Sequence, residues 1–181
     1  MQDPTPRNGI YYYNQWNEDA QQYEIHEVRH NGGRWQCLQS QPVISGGVAT
    51  YYPPKWNSPY WTLVDGDDSY SIEFVSSNGS SFYQGHVNTT VTPHLFYGKI
   101  DISADVDTQY WSWARTSEHP VEGDEERDRA WNNAHIGVRV LNLTNQDMPL
   151  SWGRGNKAIF TCTVSVNDGK TTRIVDNQII S

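Results

Sequence analysis

The sequence predicts an all-β chain, and three observations carry that expectation. Among 181 residues, Val and Ile together number 25 and the aromatics 23, whereas Leu and Ala number 6 and 7. β-Branched and aromatic side chains suit a pleated, half-buried surface, and a helical chain would reverse the balance. Apolar and polar residues alternate with period two along much of 70–180, and runs of Gly, Asn, Asp and Pro punctuate the alternation. With 36% hydrophobic residues, the chain has apolar material for one or two compact cores.

The first element boundary is a polar, turn-forming run, Asp65-Gly66-Asp67-Asp68-Ser69, between Trp61-Thr62-Leu63-Val64 and a new alternating segment. It divides the chain into a small aromatic-rich β domain over 1–66, which holds most of the prolines, and a β-sandwich over 67–181. In the second part Tyr70, Ile72 and Phe74 alternate with Ser71, Glu73 and Val75, and Val91, Pro93, Leu95 and Tyr97 with Thr92, His94 and Phe96. Both read as strands. The segments 110–115 (YWSWAR), 139–144 with Leu141 and Leu143 in phase, and 160–166 with Phe160, Cys162, Val164 and Val166 in phase supply three more. Asn167-Asp168-Gly169 predicts a type I′ hairpin, in which both central residues take positive φ, and 170–180 is its return strand. Between the third and fourth strands, 123–133 (GDEERDRAWNN) leads with acids and reads as one short helix. This order, over a length close to the ~100 residues of an immunoglobulin-type sandwich, predicts an immunoglobulin-like Greek-key fold. Trp111 or Trp113 on the third strand would then pack against Cys162. Val91 or Pro93 stands where a second-strand cysteine would complete an inter-sheet disulfide, so both Cys37 and Cys162 are expected as free thiols.

Composition and motifs narrow the chemistry. A net charge of −8 with scattered arginines disfavours a nucleic-acid face, and no stretch approaches the ~20 apolar residues of a bilayer span. The start, MQDPTPRNG, has no apolar signal-peptide core, so Asn78, Asn88 and Asn142 in formal glycosylation triplets carry no weight. His26-Glu27-Val28-Arg29-His30 matches the zinc-protease pattern HExxH, but that pattern needs a helix. Asn31-Gly32-Gly33 stops any helix, and Tyr23, Ile25 and Val28 suit a strand. The acids Glu122, Asp124, Glu125, Glu126 and Asp128 lack the spacing of a calcium loop and read as a solvated helix start. Neither a phosphate-binding glycine loop nor a GxSxG elbow occurs. No cofactor and no metal is expected.

Specific residues between 70 and 181 carry a resemblance. They are Ser77-Asn78-Gly79 with Phe82 and Gly85, Thr89-Thr90-Val91-Thr92, the run Tyr110 through Thr116, Ala130 through Val138, Leu141-Asn142-Leu143-Thr144 with Asp147, and Phe160-Thr161-Cys162-Thr163-Val164. In this order they resemble the immunoglobulin-like modules of tail and other virion proteins of tailed bacteriophages. The insertion PLSWGRGN at 149–156 departs from that pattern. The resemblance implies a non-enzymatic virion structural protein assembled in the bacterial cytoplasm. It would be a tail or tail-fibre component, or alternatively a capsid decoration or head-fibre protein, with other virion chains in several copies as partners.

Residues 10–65 resemble small chitin- or cellulose-binding modules through Trp16, Tyr23, Val28, Gly33 with Trp35, and Pro53-Pro54 through Trp56, Tyr60 and Trp61. That likeness implies host-surface glycans as a further partner, or a free glycan-binding module. Sugar rings pack their CH faces on aromatic rings. A 65-residue domain also needs large rings as core, which claims Trp16, Tyr23 and Trp35. Tyr51, Tyr52, Trp56, Tyr60 and Trp61, in a proline-rich run, are the candidate binding surface, joined by Trp152 and Arg154 in the inserted Gly-flanked loop.

Overall fold

The computed structural model describes residues 15–39, 43–50, 52–67, 69–79, 86–153 and 156–180. The chain is mostly β, in several antiparallel sheets, with one short α-helix among the described residues. It divides into two compact units: Met1–Ser69 with Tyr97–Ile100 and Val166–Arg173, and Tyr70–Phe96 with Asp101–Ser165 and Ile174–Ser181. The two short returns 97–100 and 166–173 cluster with the N-terminal residues.

In the first unit β1 (Gln15–Asn17) pairs with β2 (Gln22–Glu24), and β3 (Glu27–His30) with β4 (Gly33–Cys37). Asn31 and Gly32 join β3 to β4 with φ of +44° and +78°, the pair of left-handed residues that a tight hairpin needs. A further hairpin joins β5 (Val43–Ser45) to β6 (Val48–Thr50), and β7 (Trp61–Asp65) pairs with β4 on the side away from β3. Gly33, Trp35 and Cys37 alternate inward along β4. The core is aromatic: Trp35 meets Trp56 edge-on at 4.9 Å between centroids, and Trp56 meets Tyr97 at 5.4 Å. Large rings are how so short a chain buries enough surface.

The second unit is a sandwich of two sheets. In one, β9 (Asn88–Tyr97) pairs with β8 (Tyr70–Ser76), β10 (Ile100–Asp101) and β12 (Leu141–Thr144); in the other, β13 (Ala158–Asn167) lies between β11 (Trp111–Ser117) and β14 (Thr172–Ile180). Phe74 of the first sheet meets Trp113 of the second at 5.5 Å between ring centroids, so these rings fill the space between the layers. Trp113 stands opposite Cys162 in the β11–β13 register, and both are buried. Pro93 sits inside a central strand, where its missing N–H would normally cost a ladder bond. Here β12 pairs only with Asn88–Val91, and Leu95 already turns its carbonyl and N–H toward Ile102 and Ser103. In the gap between them the guanidinium of Arg139 donates to the Pro93 carbonyl at 3.3 Å while covering the ring of Trp111.

Between β11 and β12 runs α1 (Asp124–Ala134), docked by a polar stripe. Asp124, Asp128 and Asn132, spaced by four, share one helix face. Asp124 is buried and accepts the backbone N–H groups of Val121, Leu150 and Ser151. Desolvation is the largest single effect on its carboxyl and pushes upward, but those bonds together outweigh it and hold the carboxyl below the usual range. Asp128 takes Arg115 Nε and, at 3.0 and 2.9 Å, the N–H and hydroxyl of Ser117. Asn132 Oδ1 accepts the Arg115 N–H at 2.6 Å. Two of the five acids expected to be solvated are therefore structural.

The turn after β13 departs from expectation too. Gly169 takes φ of +89°, but Asp168 does not enter the positive region, and the turn closes through the Asp168 N–H on the Thr171 carbonyl at 3.2 Å. Asp168 Oδ1 accepts the N–H groups of Lys170 and Thr171, each at 2.8 Å.

Cys37 and Cys162 are buried free thiols, one in each unit. Burial pushes the Cys162 thiol from about 9 up to about 12, against a weaker downward pull from Arg139. An acid whose pKa rises on folding adds its full stability below the unfolded value and loses it as pH climbs toward the folded one. Urea unfolding should therefore show the wild type losing about 2 kcal/mol more than Cys162→Ala between about pH 8 and pH 10.5. Parallel losses in the two proteins would contradict a neutral, desolvated thiol.

Candidate binding surface

The expected aromatic surface separates into two parts. Trp56 and Trp61 are each 1% exposed and belong to the core with Trp35, which is fully buried. Prolines signal an irregular path, and that path leads these rings inward: Trp61 opens β7, and Trp56 lies against Trp35 and Tyr97. Neither ring can stack on a sugar. Tyr51 lies outside the described residues, as do the side chains of Trp16 and Tyr23.

Tyr52 and Tyr60 remain at the surface, half-buried, with rings stacked at 4.5 Å and 22° between planes. Their backbones are pinned. Trp61 Nε1 donates to the Tyr52 carbonyl at 2.8 Å, the Leu38 N–H donates to the Tyr60 carbonyl at 2.8 Å, and the Tyr60 N–H donates to Ser58 Oγ at 3.2 Å. A buried tryptophan thus fixes the position of the half-buried pair, and a stacked pair of tyrosine rings is a flat, amphipathic platform of the kind that suits a sugar ring or a partner's apolar side chain.

Trp152 is half-buried in the inserted loop of the second unit. The loop is held at its base by Asp124, whose carboxylate takes the Leu150 and Ser151 N–H groups, and at its crossing by the Trp152–Asn156 bridge. Gly153 turns the chain at φ of +85°. Arg154 lies outside the described residues.

Glu27–His30 is β3 and His26 directly precedes it, so the helix turn that would bring the two imidazoles of HExxH onto one face is absent. Glu27 instead pairs with Arg34 at 2.8 Å, and His30 Nε2 lies 3.1 Å from Asn31 Nδ2. Among the described residues, no group of three His, Cys, Asp or Glu is placed to hold a metal ion. No helix among them is long and apolar enough to cross a membrane. No family model, curated protein or solved structure matches the chain.

Proposed function

We propose that this chain is a non-catalytic structural and adhesive module of a tailed-phage virion, a tail or tail-fibre component whose sandwich docks on neighbouring virion chains. The observation that carries the reading is the pairing of Trp113 with Cys162 inside a sheet ordered β11-β13-β14, set against β8, β9 and β12. An immunoglobulin-type Greek key places its third, sixth and seventh strands in one sheet and its first, second and fifth in the other, with the third-strand tryptophan against the sixth-strand cysteine. Residues 70–181 resemble the virion modules built on that plan. The buried charges support a structural role as well, since Asp124, Arg115 and Asp128 hold backbone and each other.

A head position, as a capsid decoration or head-fibre protein, uses the same sandwich. The stacked Tyr52–Tyr60 pair favours, as a second role, contact with host-surface glycans by the first unit. A cryo-EM map of the intact particle tests the assignment: density for the chain along the tail or its fibres is the expected result. Density on the capsid would replace the tail by the head reading, and absence of the chain from purified particles would overturn both.

A further inference from the structure

The sheet ordered β11-β13-β14 ends differently on its two sides. The β11 side is covered: the Trp113 N–H donates to the His135 carbonyl at 3.1 Å, the Gly137 N–H donates to the Trp111 carbonyl at 2.8 Å, and Ser112 bridges to Ile136. The β14 side is open. Among the described residues this nine-residue strand pairs with β13 alone. The unpaired N–H and C=O groups of such an edge are a template for another strand, and proteins commonly blunt it with lysine, proline, a bulge or a very short strand. In the facing sheet the edge strand β12 has only four residues. β14 carries neither lysine nor proline, and two of its apolar side chains stand in solvent, Ile174 at 65% and Ile180 at 54% exposure.

Residues 174–180, the part of β14 in the second unit, run Ile-Val-Asp-Asn-Gln-Ile-Ile. Two apolar residues, three polar and two apolar make the same chemical order in both directions. Directly opposed residues of antiparallel strands point to the same face, so a two-fold axis between two copies of β14 falls on a residue. Centred on Asn177, it sets Ile174 against Ile180 and Val175 against Ile179, each twice, and Asp176 against Gln178. Centred on Asp176, it opposes two carboxylates and sets Ile174 against Gln178. Centred on Val175 or Gln178, it sets Asp176 against an isoleucine. Of these four registers, only the one about Asn177 matches apolar with apolar and leaves no like charges opposed. The Gln178 N–H, which donates to Asn177 Oδ1 at 2.8 Å, would pass to the partner's Asp176 carbonyl.

We propose that a second copy of this chain adds edge to edge at β14, antiparallel about Asn177, and joins two three-stranded sheets into one of six. The occupant follows from the sequence of the edge: free N–H and C=O groups accept any extended segment, but a palindromic order of apolar and polar side chains serves pairing with itself. The contact is isologous, closed by one two-fold, and carries roughly eight backbone hydrogen bonds. It is narrow, at the low end of interface sizes, so association is expected at about 0.1 mM. The proposal does not rest on the virion reading.

Sedimentation equilibrium of the full chain, taken to about 1 mM, tests it. The wild type should dimerise. Ile174→Lys removes an apolar pair from both halves of the contact and puts lysine on the edge, and it should weaken the dimer at least about tenfold. Gln178 reports the register. Gln178→Lys places a cation against the partner's Asp176 twice over and should tighten the dimer several-fold, whereas Gln178→Glu should weaken it by a similar factor, and added salt should shrink both effects. All three substitutions are at exposed positions and should leave the thermal midpoint of the dilute protein in place. A wild type that stays monomeric at the highest concentration overturns the proposal. So does a dimer that Ile174→Lys leaves intact, which would lie on another surface, or one to which Gln178→Lys and Gln178→Glu do the same thing, which would rule out the register about Asn177.

Discussion

Asp128→Ala is expected to cost about 3–5 kcal/mol, enough to lower the thermal midpoint by roughly 10 °C in a chain of this length. The expectation follows from what the carboxylate holds. Arg115 is 2% exposed, and its Nε donates to Asp128 while its Nη1 donates to the Asp147 carbonyl at 2.6 Å. Its guanidinium also lies 5.7 Å from the centre of the Trp131 ring. Removing Asp128 leaves a buried cation without its counter-charge and strips two donors of Ser117 of their acceptor. Removing both charges is different, because a buried ion pair replaced by apolar groups often costs little. Arg115→Met with Asp128→Ala should therefore be more stable than Asp128→Ala alone. Urea unfolding of the two single variants and the double one measures the coupling. Costs that add within about 0.5 kcal/mol would show that the pair does not hold α1 on β11.

That cluster also marks where sequence reading runs out. Strands such as β9 and β13 were legible because one face is apolar and the period of two survives any context. The helix at Asp124–Ala134 was legible from its leading acids, but its buried face was not, since hydrophobic periodicity cannot register a stripe of Asp124, Asp128 and Asn132. Those residues look solvated until the partners appear, and the partners, Arg115, Ser117 and Leu150, lie in other segments. Trp56 and Trp61 fail for a related reason: prolines announce an irregular backbone, which says nothing about which way a ring points. The seat of the β13–β14 tip on β7 is the extreme case: Leu63 donates its N–H to the carbonyl of Asp168, and no local pattern joins residues whose meeting depends on a hairpin tip returning to the N-terminal unit.

Gly169→Ala probes that return directly and should cost about 2–4 kcal/mol, the sum of two separable effects. The first is conformational: φ at Gly169 is +89°, a region that an L-residue enters at a cost of about 1–2 kcal/mol. The second is steric. An added Cβ would lie 2.5 Å from the Trp61 carbonyl oxygen and 2.6 Å from Thr62 Cα, backbone atoms that cannot rotate away, so the tip must lift from β7. Gly47→Ala isolates the first effect, because Gly47 has φ of +81° and nothing within 4 Å of a built Cβ. Lifting the tip would also break the Leu63 N–H bond to Asp168 and the Asn57 N–H bond to Asn167. Amide exchange at Leu63 and Asn57 should therefore accelerate in Gly169→Ala beyond what global destabilisation explains, and in Gly47→Ala it should follow global stability alone. If Gly169→Ala proves no more costly than Gly47→Ala, with Leu63 still protected, the hairpin tip does not bear on β7.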